Sequence, residues 1–289
     1  MIEFEQSQAK ARILMEALPY VRRFRGSIFV VKYGGSFMDS PDPEVRSGVA
    51  KDLVFLNFVG IKVVVVHGGG KAITRELQKR GIKAQFLDGL RVTDADTIDA
   101  VDTVLNEQVN REVSQFVSSH DCDVQRFPGK EVLTCEKLQG KHDLGYVGEV
   151  TKVKKEPILH ALENGQMPIL SSTASDEKGI CYNVNADNVA SKVAIALGAR
   201  RLVYLSDVPG LLKDPDDPSS LLSSLAVNEV EPLKDEGVIS AGMLPKVNSA
   251  VEALESGVNR VHFIDGRMPH SILLEIFTDQ GIGTEIVHA

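Results

Sequence analysis

Two apolar runs in the first quarter of the chain end in glycine: "SIFVVKYGGS" (27–36) and "KVVVVHGGGK" (62–71). A strand with one face in water alternates apolar and polar residues. Four consecutive valines do not alternate, so both faces of that strand must be covered, which is the condition of a parallel sheet between two layers of helices. The remaining chain keeps to this scheme. Further strands are expected at 167–172, 201–207, 260–265 and 284–287, and helices at 44–59, 71–80, 94–119, 187–197, 243–256 and 269–277. Strands alternating with helices indicate an α/β fold class with a central, mainly parallel sheet. Residues 121–156 break the alternation and read as hairpins. Residues 214–224 ("DPDDPSSLLSS") read as a polar loop, and 4–18 as an amphipathic helix that Pro19 ends or kinks.

In such a sheet, ligands bind beyond the carboxyl ends of the strands, where both glycine runs fall. Glycine leaves the backbone N–H groups open to an anion. Neither run fits G-x-G-x-x-G with its ribose-binding acid, nor G-x-x-x-x-G-K-[ST], so neither a dinucleotide site nor the usual NTPase loop is indicated. A tight turn is the plainest role for one such corner. Two neighbouring corners beside Lys32 favour anion binding, because an unpaired charge near the end of a buried strand is costly. Its partner is a structural carboxylate or, a better fit, a ligand phosphate.

Three later stretches point to the same edge. "YNVNADNVASKVAIALGA" (182–199) sets Asn183, Asn185 and Asp187 at the mouth of a helix that Gly198 closes; capping explains one of the three, not all. "LVYLSDVPGLLKDPDD" (202–217) is a strand opening into a polar loop or a plain turn. "SAGMLPKVNSAVEAL" (240–254) begins a helix at a glycine with Lys246 in its first turn. A lysine there opposes the helix dipole, unless an anion is shared between the two or water solvates the charge.

A formal net charge of −8 gives no general basic footprint for nucleic acid. Three cysteines, Cys122, Cys135 and Cys181, form no C-x-x-C pair and argue against a disulfide framework or zinc site. The amino terminus is not a signal peptide, and the apolar runs are too short to span a bilayer, so a cytoplasmic protein with no membrane partner is expected.

Taken in order, "VVKYGGS", "VVVVHGGG", "LDGLRVTD" (87–94), "DLGYVGEV" (143–150), "YNVNADNVA", "LVYLSDVPGLL", "AGMLPKV" and "VHFIDGRMPHSILLEIFTDQGIGTEI" (261–286) resemble the amino-acid kinase family, in its acetylglutamate kinase branch. The resemblance implies an open αβα sandwich: residues 1–26 as an amino-terminal helix for assembly and regulation, 27–180 as a lobe for the acyl amino acid, and 181–289 as a lobe for ATP. The implied reaction moves the γ-phosphoryl of ATP, with Mg2+ held mainly by the ATP phosphates, onto the side-chain carboxylate of N-acetyl-L-glutamate in arginine biosynthesis. That carboxylate is ionised at neutral pH, so no general base is needed. By motif, Lys32 and Lys246 would clamp the phosphoryl and Asp187 would hold both lysines. Gly34, Gly35, Gly68 and Gly69 would supply N–H groups, Arg91 would take the substrate α-carboxylate, and Asn183 would bind nearby. Ser206, Asp207, Gly210, Leu211 and Lys213 would form the nucleotide site.

The chain departs from the family pattern at "HGGGKA", where "HGGGPQ" is usual. Lys71 is expected to be a solvated helix-start lysine, with contact to the γ-phosphate as the alternative. Residues 121–142 also diverge near the substrate, which keeps an acetylaminoadipate-type kinase as an alternative; a non-catalytic sensor relative is a separate one. The stretch "ILMEALPYVRRFRG" (13–26) resembles the extension of arginine-inhibited hexameric members. It implies an L-arginine site at Tyr20, His262, Glu275 and Gly281; some members also bind a PII-type signalling protein.

Overall fold

The computed structural model describes residues 2–34, 43–239 and 242–288. Its strands, in chain order, are β1 (Ile28–Tyr33), β2 (Lys62–His67), β3 (Phe86–Leu87), β4 (Leu90–Arg91), β5 (Val124–Phe127), β6 (Leu133–Lys137), β7 (Val147–Val153), β8 (Met167–Ser171), β9 (Thr173–Ser175), β10 (Cys181–Val184), β11 (Arg201–Ser206), β12 (Ser224–Ala226), β13 (Arg260–Asp265) and β14 (Thr284–Val287). Eight of them form one sheet in the order β12-β14-β13-β11-β1-β2-β8-β5. Its pairings are parallel except β13 with β14. The glycine-ended strands β1 and β2 therefore sit side by side in the middle.

The four valines divide between two cores. Val64 and Val66 pack with Val30, Leu202 and Tyr204, beneath the helices Ala186–Leu197 and Leu244–Glu255. Val63 and Val65 pack with Phe29, Val31 and Val203, beneath the helices Pro43–Phe58, Gly70–Lys79 and Ser271–Ile276. All four are fully buried, each contributing roughly 2 kcal/mol by removal from water. This is the expected sandwich, helices on both faces of a central mainly parallel sheet. The expected units 27–180 and 181–289 share it, because β1 pairs with β11. Strands β10, β7, β6 and β9 close into a small barrel beside it. Among the described residues, no helix is long and apolar enough to cross a membrane.

Several local expectations need correction. The first helix does not end at Pro19 but runs from Ile2 to Phe24 with Pro19 inside it. Phe24 is buried against Phe29 and Tyr20 meets Phe277 edge-on, so tertiary packing carries the helix past the missing N–H. The helix expected over 94–119 is broken by a π-turn, Val104–Val109, between Ala95–Thr103 and Asn110–Ser118. Residues 124–127 are not a hairpin; they add β5 in parallel to β8, with Val124 opposite Met167. The helix carrying Lys246 starts at Leu244, after Met243, rather than at a glycine. The loop after 214 ends in β12 and leads to a helix, Val227–Asp235, that the sequence pattern did not mark.

Candidate active site

Three charged side chains from three distant elements meet where β1 ends. Lys32 Nζ, on β1, lies 2.9 Å from Asp187 Oδ1, and Lys246 Nζ donates to Asp187 Oδ2. Asp187 follows the cap of its helix: Asn185 Oδ1 accepts from the Asp187 N–H at 2.8 Å and, more distantly, from the Asn188 N–H. With the cap supplied by Asn185, the Asp187 carboxylate is left for the lysines. Tyr204 Oη donates to the Asp187 carbonyl at 3.1 Å and fixes the turn from below. Burial alone would raise the Asp187 pKa, but the two ammonium groups outweigh it and hold the carboxyl at about 2. Burial lowers the pKa of Lys246, Asp187 opposes that shift, and Lys32 adds to it. Two cations on one anion leave a net positive charge in a poorly solvated corner, an arrangement that draws a further anion.

That corner opens on a cavity of about 230 Å³ lined by Lys32, Gly68, Gly69, Arg91, Asn183 and Asp187 among others. A Cβ on Gly69 would stand 2.6 Å from Leu105 Cδ2, and one on Gly68 would stand 3.3 Å from Ala186 Cβ. Gly69 is thus packed from behind by Leu105, while Gly68, Gly69, Gly70 and Ala186 line the cavity. Arg91 is presented by the β3–β4 hairpin, whose two-residue turn takes Asp88 and Gly89 to φ 50° and 78°. Its Nη2 donates to the Gly70 carbonyl (2.8 Å) and Thr74 Oγ1 (2.9 Å), and its guanidinium lies 4.6 Å over the Phe86 ring. Its Nη1 is buried with no hydrogen-bond partner. A pre-set guanidinium with one free nitrogen fits a carboxylate. Asn183 Nδ2 donates to Thr93 Oγ1 at 3.2 Å on the cavity wall. Gly34 is buried directly after β1, whereas Gly35 lies outside the described residues.

Residues 27–265 match the Amino acid kinase family. The chain belongs to that family. Acetylglutamate kinases from Synechococcus sp. (strain JA-2-3B'a(2-13)) and Thermosynechococcus vestitus are 45% and 46% identical to it over 279 residues, covering 96% of this chain and 89% and 94% of theirs. An N-acetylglutamate synthase from Neisseria gonorrhoeae, solved with coenzyme A and N-acetyl-glutamate, aligns with a TM-score of 0.86 at 26% identity. That alignment covers 96% of this chain but only 63% of the synthase. Carbamate kinase from Giardia lamblia bound to AMP-PNP shares the fold, with a TM-score of 0.68 at 16% identity over 91% of this chain and 99% of its own.

In this amino acid kinase, the stretch expected to meet nucleotide leaves the end of β11. Ser206 Oγ donates to the Val208 carbonyl at 3.1 Å. Asp207 is exposed, yet close enough to Lys246 to act on its pKa, so this edge adjoins the charge cluster. Gly210 has φ 152°, and a Cβ there would lie 2.5 Å from Thr284 Oγ1. That hydroxyl accepts from the Leu211 N–H at 2.9 Å, and Leu211 is buried, so it anchors the loop, while Lys213 is exposed. Lys71 is also exposed.

A second cavity, of about 620 Å³, gathers Tyr20, His262, Glu275 and Gly281. His262 Nδ1 lies 2.7 Å from Glu275 Oε1, and Glu275 Oε2 accepts from the Ile282 and Gly283 N–H groups at 2.8 and 3.0 Å. Burial raises the Glu275 pKa, but His262 and these N–H groups bring it below its ordinary value. Tyr20 Oη donates to Asp279 Oδ1. Gly281 (φ 62°) passes so close that a Cβ would meet Glu275 Oε2 at 2.6 Å.

Sequence reasoning missed Phe86, Thr74 and the Gly70 carbonyl, which set Arg91, and Tyr204, which braces Asp187. Only the capping role of Asn185 had a local signal, its place just before a helix.

Proposed function

We propose that the chain is an acetylglutamate kinase, phosphorylating the side-chain carboxylate of N-acetyl-L-glutamate with ATP in arginine biosynthesis. The observation that carries the reading is the meeting, around one cavity, of Lys32, Asp187, the glycine corner and an Arg91 guanidinium with a free nitrogen, with Lys246 bonded to the far oxygen of Asp187. Arg91 takes the substrate α-carboxylate and turns the side-chain carboxylate toward the lysines. A carboxylate oxygen attacks the γ-phosphorus, the bond to the β-phosphate oxygen breaks, and that electron pair leaves on ADP. Charge neutralisation by Lys32 and Lys246 is the main service such a transfer needs.

Among the described residues, no group of three or more His, Cys, Asp or Glu could hold a metal ion, and both Asp187 oxygens face lysines. Magnesium would be held mainly by the ATP phosphates, as the family resemblance implies. Adenosine diphosphate release with N-acetyl-L-glutamate, N-acetyl-L-aspartate and N-acetyl-L-aminoadipate tests the proposal. Turnover is expected with N-acetylglutamate above the other two. Preference for the longer acid would favour the aminoadipate reading, and silence with every acceptor despite tight ATP binding would favour a sensor.

The proposal extends to regulation in the cytoplasm. L-Arginine would occupy the second cavity with its guanidinium at Glu275, in a hexamer built through the amino-terminal helices. The buried carboxylate and the large cavity beneath the helix support this. Sedimentation showing only dimers, with full activity in millimolar arginine, would reject it. A PII-type partner would register in the same runs as a further gain in mass.

A further inference from the structure

If the glycine corner stabilises a transferring phosphoryl, it must turn N–H groups to the cavity and keep carbonyls away. The residues that decide this stand behind the corner. His67, at the end of β2, is fully buried. Its Nδ1 lies 3.0 Å from the Gly68 carbonyl oxygen, and its Nε2 lies 3.0 Å from Asn110 Nδ2. Asn110 Nδ2 also donates to the Ile169 carbonyl at 2.9 Å, and Asn110 Oδ1 accepts from Arg126 Nε at 2.8 Å. Arginine is a donor only, so Arg126 dictates which end of the Asn110 amide is oxygen. The amide NH2 then faces His67 Nε2. That nitrogen must be an acceptor, the ring proton sits on Nδ1, and Nδ1–H donates to the Gly68 carbonyl. In a planar trans peptide the carbonyl and the following N–H point in opposite directions. A Gly68 carbonyl drawn back toward His67 therefore sends the Gly69 N–H the other way, at a corner where both glycines line the cavity.

The π-turn makes the relay reachable. The Asn110 N–H bonds back to the Leu105 carbonyl, passing over Asn106, whose carbonyl accepts from Arg126 Nη2 at 2.6 Å. One guanidinium thus grips both the backbone of the turn and the Asn110 side chain. Burial holds the His67 pKa at about 4, so the ring stays neutral, as a single-tautomer relay requires.

We infer that Arg126, Asn110 and His67 are positioning residues that lock the sense of the Gly68–Gly69 peptide, so that an N–H and not a carbonyl meets the phosphoryl. The inference rests on the phosphoryl-transfer reading, but its first test does not require activity. Two-bond 1H–15N spectra of the histidine-labelled full chain near neutral pH should show His67 as the Nδ1–H tautomer; an Nε2–H tautomer would overturn the relay. In kinetics, His67→Asn keeps an N–H near the Nδ1 position and should hold kcat within about threefold, whereas His67→Gln, reaching toward Nε2, should lose about a hundredfold in kcat with both KM values little changed. Asn110→Asp should turn the ring to Nε2–H with a similar loss. Equal losses in His67→Asn and His67→Gln, or kcat kept by both His67→Gln and Asn110→Asp, would also overturn it. If these variants fail to fold, the wild-type tautomer decides alone. A folded chain that phosphorylates no acceptor would remove the function while leaving the tautomer readable.

Discussion

Asp187 holds two lysines at once, and removing its charge leaves both unpaired in a buried corner. Asp187→Asn should destabilise the chain by about 3–5 kcal/mol and lower kcat by at least about a hundredfold, checked by denaturant melts and ADP release. Its acid signature follows from the sign of the shift. A carboxyl held at about 2 against an ordinary 3.8 contributes stability that is present above 3.8 and lost as pH falls toward 2. His67, held at about 4 against 6.5, penalises protonation, so its share is lost between 6.5 and 4. Unfolding free energies measured across this range should lose the upper window in His67→Asn and the lower one in Asp187→Asn. Arg91 acts by its fork. Arg91→Lys keeps the charge and loses the pre-set nitrogen, so KM for the acyl amino acid should rise about ten- to a hundredfold with kcat nearly unchanged. Lys71→Ala should leave both constants within about twofold, since an exposed lysine at this corner is solvated.

The glycine corner and the π-turn beneath it behave as one element. Gly69→Ala would drive a methyl into Leu105, which is buried, and should cost about 1–3 kcal/mol in thermal or denaturant melts; an unchanged Tm would mean the π-turn yields freely. The corner was legible in the sequence because glycines straight after an apolar run serve either a tight turn or a close approach to the backbone, and two neighbouring runs favour the second. So were Lys32 and Lys246, which looked locally misplaced as a lysine in a buried strand and a lysine against a helix dipole, and Asp187, one of three polar residues at a helix mouth where one cap suffices. The fold answers all three by bringing them together. The π-turn was not legible, because "VLNEQV" (104–109) suits an ordinary helix and its extra residue is set by contacts with Gly69 and Arg126. Arg126 itself sits in the segment read as hairpins, where nothing local shows that β5 will reach the edge of the main sheet. Pro19 differs for the opposite reason: local chemistry allowed an end or a kink, and packing of Tyr20 and Phe24 rules out the end.

At the scale of the molecule, the sheet's two-sided burial was readable from valines that refuse to alternate, while the strand order depended on contacts far apart in sequence. The amino-terminal helix lies at the margin of this body, with the described side chains of residues 11–16 exposed and Phe24 buried. Deleting residues 1–16 should move Tm by only a few degrees yet reduce the sedimenting mass if the helices assemble the hexamer. Strand β11 joins the two cavities' neighbourhoods. Arg201 at its start lines the larger cavity, and Ser206 at its end opens the loop that adjoins the charge cluster. Six residues at about 3.3 Å each give roughly 17–20 Å, and the strand is bonded to β1 on one flank and β13 on the other. Such a member can be neither shortened nor stretched. On the proposed function, whatever fills the far cavity would reach the charge cluster along this strand as rotation, as a crankshaft passes it on without changing its length.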